Sequence, residues 1–154
     1  MSYVDQNLMA GEQVAYRTRL HWVMFLVPLL VTGFFLLVAL LMLFSKDTRS
    51  GAALPFGIGF VTGLFLLARY VAYRTSEFAV TNKRVIIKVG LLHRRSVEIL
   101  LTKIEAIGVD QPLIGRMLNY GSLTVGGTGG TREVFHQIHS PLDFRRKVQE
   151  QTAQ

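Results

Sequence analysis

Residues 22–44 form a run of 23 positions without a charge. A helix rises about 1.5 Å per residue, so the run reaches roughly 34 Å, enough for a hydrocarbon core of about 30 Å. Sixteen of the 23 residues are Leu, Val or Phe, each favouring insertion by a few tenths of a kcal/mol. A second uncharged run, residues 51–68, follows after the six-residue stretch 45–50. Two such runs around a short polar gap describe a helical hairpin through a membrane. A cleaved signal peptide would need a shorter apolar core and a small-residue cleavage site; Phe44-Ser45-Lys46-Asp47 does not supply one.

The second run contains Pro55 and the glycines 51, 57, 59 and 63. In a soluble helix each glycine costs about 1 kcal/mol against alanine. Between membrane helices small residues instead allow close approach. Gly59 and Gly63 have GxxxG spacing, and Gly57 follows Ala53 at the same interval, so Gly57, Gly59 and Gly63 are expected to pack on the first helix. Homodimerisation through the same face is the alternative. Trp22 opens the first run, and Tyr70 and Tyr73 follow the second, where amphipathic rings anchor at the membrane–water interface. Neither run contains an ionisable residue, which argues against an ion or proton path.

The formal charge is +7. Arg17, Arg19, Arg69 and Arg74 flank one side of the hairpin, and Lys46 and Arg49 the other. The excess of basic residues is expected to place both termini in the cytoplasm. The expected organisation is a cytoplasmic segment 1–21, spans at 22–44 and 51–68 joined by an external loop 45–50, and one cytoplasmic domain over 69–154. Residues 12–19 alternate as a strand would, with Val14, Tyr16 and Thr18 on one side. They read either as an added strand or as an interfacial helix.

From Ser76 the pattern changes to short β-rich runs: 77–80, 85–89, 96–101, 104–109, 122–125 and 132–138. These are punctuated by Asn, Gly and Pro. Residues 111–120 read as a loop with one helical turn. Ser140 is placed as N-cap and Pro141 as first residue of a final amphipathic helix. The fold class is α+β: a transmembrane hairpin, then a bent antiparallel sheet covered by a C-terminal helix.

The segment Phe78-Ala79-Val80-Thr81-Asn82-Lys83-Arg84-Val85-Ile86 resembles the opening signature of the bacterial pleckstrin-homology-like (PH-like) domain family. Lys103-Ile104-Glu105, Gly115-Arg116, Tyr120-Gly121-Ser122-Leu123-Thr124-Val125 and Gly127-Thr128-Gly129-Gly130 continue it. Gly11-Glu12 and His21-Trp22, followed by two apolar runs, are similar to its small membrane-anchored members. The resemblance implies a PH-like β-barrel with a C-terminal capping helix. It specifies a fold better than an activity.

The sequence offers little chemistry. Cysteine is absent, which excludes disulfides, thiol catalysis and cysteine-ligated metals. His136 and His139 are three apart but fall at a strand end. No HExxH, Walker or GxSxG motif occurs. No catalytic residue, metal or cofactor is assigned. Basic residues at Arg69, Arg74, His93, Arg94 and Arg95 form a candidate contact with anionic lipid, each basic residue near such a leaflet being worth about 1 kcal/mol. No aromatic array interleaves them, so no nucleic acid is expected. The expected partners are the bilayer and a protein docked by a non-catalytic adaptor or accessory subunit. Lipid head-group recognition is the alternative, and a homo-oligomer is compatible with the glycine face.

Overall fold

A computed structural model describes residues 2–90, 95–128, 130 and 132–153. The chain divides into two compact units: residues 22–72, and a β-rich unit made of the residues up to His21 together with those from Tyr73 on.

In chain order the elements are helix α1 (Tyr3–Gln6), strand β1 (Val14–Thr18), helix α2 (Leu26–Phe44, preceded by a 3-10 turn from Trp22) and helix α3 (Ala53–Thr75). They continue with β2 (Glu77–Thr81), β3 (Arg84–Val89), β4 (Arg95–Leu100), β5 (Ile104–Asp110), helix α4 (Leu113–Leu118), β6 (Tyr120–Gly127), β7 (Arg132–His139) and helix α5 (Pro141–Thr152).

The helical unit is an antiparallel hairpin. Phe25 meets Tyr70 (ring centroids 6.4 Å apart), Gly63 faces Thr32, Gly59 faces Leu36 and Gly51 faces Met42. Segments Trp22–Phe44 and Arg49–Thr75 are each long and apolar enough to cross a membrane. Their apolar windows are only 6 % and 17 % buried, whereas the core helix of a water-soluble fold buries its apolar side chains. Helix α3 runs past Ala68 to Thr75, because residues 69–75 contain neither Gly nor Pro to stop it. The first charge, Arg69, is therefore not a helix end.

The glycines of α3 do different work. A Cβ on Gly59 would stand 2.8 Å from Leu36 Cδ2, so any larger residue would require the Leu36 side chain to shift. Gly63 is in ordinary contact range of Thr32, and Gly57 meets nothing within 4 Å. Positions 57 and 59 lie about 200° apart around a helix, so both cannot face one neighbour. The expected packing role therefore fails for Gly57.

The β-rich unit holds two antiparallel sheets, ordered β1-β2-β3-β4 and β5-β6-β7. Residues 12–19 do supply a strand: β1 pairs with β2, Thr18 opposite Phe78 and Val14 opposite Thr81. The two sheets meet where Leu20 bridges Ile138, His21 N donates to Gln137 O (2.6 Å) and His139 N to Arg19 O (2.9 Å). Gln137 has φ +58° and sits where the β6–β7 register slips. The resulting bulge turns its carbonyl toward His21. No ladder joins β4 to β5 among the described residues, so the sheets approach a barrel without closing one.

The interior is built from alternate residues. Phe78, Val80, Val85 and Ile87 of the first sheet, Leu123, Val125, Phe135 and Ile138 of the second, and Phe144 and Val148 of α5 are all buried. Phe78 and Phe135 pack edge to face at 5.8 Å, and Tyr16 and Phe144 at 6.3 Å. Strands β2 and β3 are buried on both faces, since Ala79 and Ile86 form a second cluster with Val4, flanked by Tyr3, Leu8 and Val14. Ser140 departs from the expected capping role. It has φ +47°, and its hydroxyl makes no cap bond. The hydroxyl instead accepts from Asn119 Nδ2 at 2.8 Å, tying α5 to the turn before β6.

Candidate docking surfaces

Residues 2–13 are clamped to the outer face of the first sheet by two carboxylates. Glu12 is buried and accepts from Arg84 Nε and Nη2 (both 3.0 Å) and from the Met9 amide (2.7 Å). The Thr81 hydroxyl lies 2.7 Å from its other side. Arg84, also buried, reaches Glu98 Oε2 (2.5 Å) and the Asn7 carbonyl (2.6 Å). Burial pushes the Glu12 carboxyl up, but the Arg84, Met9 and Thr81 bonds outweigh it and hold the group below its ordinary value. Glu77 accepts from the Ser2 hydroxyl (2.6 Å) and the Tyr3 and Val4 amides (3.0 and 3.2 Å), satisfying the orphan donors that begin α1. Burial raises Glu77 too, and the Ser2, Tyr3 and Val4 bonds with Lys88 bring it below normal. Asn82 completes the latch, accepting from Gln13 N and donating to Gly11 O.

The sequence marks Thr81-Asn82-Lys83 as a turn, but its pattern does not show that this turn, with Arg84, grips Gly11-Glu12. The available signal was an Arg in an otherwise apolar hairpin, a cation that needs a buried partner.

The predicted basic residues that are described fall in both units. Arg69 belongs to the helical unit, where it is exposed, and Arg74 and Arg95 belong to the β-rich unit. Arg95 is engaged by Glu133 at 2.5 Å. His93 and Arg94 lie outside the described residues, as do Gly129 and Thr131 of the glycine-rich turn. Trp22 is half-exposed, Tyr70 packs on Phe25, and Tyr73 carries the Arg19 guanidinium over its ring at 5.9 Å.

His136 and His139 do not converge. His136 Nδ1 faces Ser122 Oγ at 2.9 Å, while His139 stacks on His21 at 5.4 Å. Among the described residues no three His, Asp or Glu side chains gather as a metal site. His21 is sandwiched between His139 and Tyr120 (5.3 Å). Burial and then His139 lower its pKa, opposed by a bond to the Leu118 backbone.

Clefts open on the β-rich unit among its described residues. One, of about 270 Å³, is lined by Leu20, Phe78, Val89, Val134 and Phe135, with Arg95 and His136 at its polar side. Both of those are already engaged, by Glu133 and Ser122. Another, about 300 Å³, runs between residues 104–107 of β5 and Val148, Gln149, Thr152 and Ala153 of α5. Strand β5 is an edge of its sheet, so alternate backbone N–H and C=O groups along it point away from β6. Glu105 and Asp110 on this strand are exposed and form no salt bridge among the described residues. This groove offers an extended segment a backbone ladder, an apolar wall and negative charge.

A family model described as Bacterial PH domain matches residues 20–152. The chain belongs to the bacterial PH domain family. The match takes in the inserted apolar helices, strands β2 to β7 and α5, and begins after β1. No curated protein and no solved structure matches the chain.

Proposed function

We propose that this PH-domain protein is anchored in the bacterial cytoplasmic membrane by α2 and α3, holds its PH domain on the cytoplasmic side, and docks a protein partner without catalysing a reaction. The observation that carries the reading is the open β5 edge beside the β5–α5 groove. An extended segment bearing basic and small apolar side chains would add there as a further strand and meet Glu105 and Asp110. The membrane assignment is supported by the two outward-facing apolar helices, which water would not tolerate in a folded monomer.

Photo-crosslinking in cells tests the docking. A crosslinker at Glu105 or at Gln149 is expected to trap the same discrete polypeptide, and Ala153→Trp, which fills the groove, to abolish both adducts. Equal trapping from exposed Thr102, outside the groove, would overturn the reading. Recognition of anionic head groups by Arg69, Arg74, His93, Arg94 and Arg95 is the second reading, favoured by the exposure of Arg69 and Arg74. It requires the full chain to enrich anionic lipid around itself in mixed nanodiscs, and Arg69→Gln with Arg74→Gln to remove that enrichment.

A further inference from the structure

Helix α4 presents an apolar face that the PH domain does not use. Met117, Leu113 and Ile114 are 85 %, 79 % and 61 % exposed, the three most exposed large apolar side chains among the described residues of the β-rich unit. Their spacing puts them on one side of the helix. The opposite side is pressed on the domain at Gly115, where a Cβ would meet the Tyr120 carbonyl at 2.5 Å. The apolar face is therefore held outward by packing behind it.

The position of α4 identifies what it meets. Its last residue, Leu118, is bonded through its backbone to the His21 side chain, and His21 stacks on Tyr120 two residues later. The first apolar segment begins at the next residue, Trp22. A six-residue helix is about 9 Å long, and the His21 side chain with its bond to Leu118 adds roughly 6 Å, so all of α4 lies within about 15 Å of His21, the residue before the first apolar segment.

We propose that α4 is a monotopic contact with the bilayer. Leu113, Ile114 and Met117 enter the boundary between head groups and acyl chains, with exposed Arg116 at the phosphates. The proposal rests on the reading of α2 and α3 as membrane spans. It adds a second attachment that fixes the tilt of the domain on the surface, which a two-span tether alone leaves free.

The chain has no cysteine, so single spin labels report depth directly. Met117→Cys, Leu113→Cys, Phe34→Cys in α2 and Thr102→Cys in the turn before β5 would be labelled in the full chain. Each would be reconstituted in phosphatidylcholine–phosphatidylglycerol vesicles. Collision with oxygen is compared with collision with a water-soluble nickel chelate. Labels at 113 and 117 are expected to favour oxygen, as at 34, and the label at 102 to favour the chelate. Preference for the chelate at 113 or 117, with oxygen favoured at 34, overturns the contact and leaves the spans standing. Shielding of 113 and 117 from both reagents means that protein covers α4 and also overturns it. Preference for the chelate at 34 overturns the spans, and the contact with them.

Discussion

Glu12→Ala tests whether the N-terminal segment is latched by a buried ion pair. The Glu12 side chain is fully buried and that of Arg84 is 8 % exposed. Removing one partner of such a pair costs about 3–5 kcal/mol, because the other charge is left without compensation. Here Arg84 keeps Glu98 and the Asn7 carbonyl, which places the cost near the lower end, about 3 kcal/mol. The Met9 amide loses its acceptor as well, while the Thr81 hydroxyl keeps the Arg84 carbonyl at 2.8 Å. At 1.4 kcal/mol per factor of ten, the opening equilibrium of residues 2–13 rises roughly 100-fold.

Hydrogen exchange of the detergent-solubilised full chain reads this directly, as lost protection in peptides covering residues 2–13. The pair explanation also fixes a coupling. In an Arg84→Met background there is no orphaned cation, so Glu12→Ala should cost at least about 1.5 kcal/mol less than in the wild type. The reasoning is refuted if Glu12→Ala changes protection by less than about threefold. It is equally refuted if the cost is the same with and without Arg84.

Three further outcomes follow from the same structure. Glu12 and Glu77 both have carboxyls held below their ordinary value of 4.5; their contribution is complete above that value and is lost as pH falls through the lowered folded values. Residues 2–13 should thus stay protected at neutral pH and release progressively as pH falls below 4.5, with Glu77→Gln flattening the acid dependence measured by exchange. Gly59→Val drives a methyl into Leu36 and should weaken the α2–α3 hairpin by about 1–3 kcal/mol. Gly57→Val should be near neutral, and disulfide yield between cysteines at 32 and 63 separates the two. A Cβ at Gly121 would stand 2.6 Å from the Asp110 carbonyl; Gly121→Ala should therefore lower the melting temperature of the PH domain, and an unchanged value would show that β5 and β6 shift apart freely.

Local pattern made the elements legible. The alternation of Val14, Tyr16 and Thr18 marked β1, β-branched residues marked β3, and the Ser-Pro pair marked the start of α5. What stayed hidden depended on long sequence separations. Glu12 meets Thr81 and Arg84 across 69 and 72 residues, and no periodicity reports such a pairing. The left-handed Ser140 was missed because an N-cap serine and a serine held by Asn119 look alike in sequence. The bulge at Gln137, where β7 meets the chain after β1, was equally hidden. A glutamine in a left-handed conformation gives no sequence signal of the kind glycine does.

The placement of the apolar hairpin within the sheet carries its own argument about topology. Thr18 and Phe78 are paired neighbours on β1 and β2, yet the whole helical unit lies between them in sequence. The inserted segment is thus a greatly enlarged β1–β2 connection whose two ends are held together by the domain. A connection of that kind returns to the side it left. If the inserted helices cross a bilayer, they cross as a pair, and a single crossing would tear β1 from β2. The charge comparison, four basic residues against two, then decides only which side the domain occupies. Under that condition the strand register, independently of the charges, puts both junctions on one side.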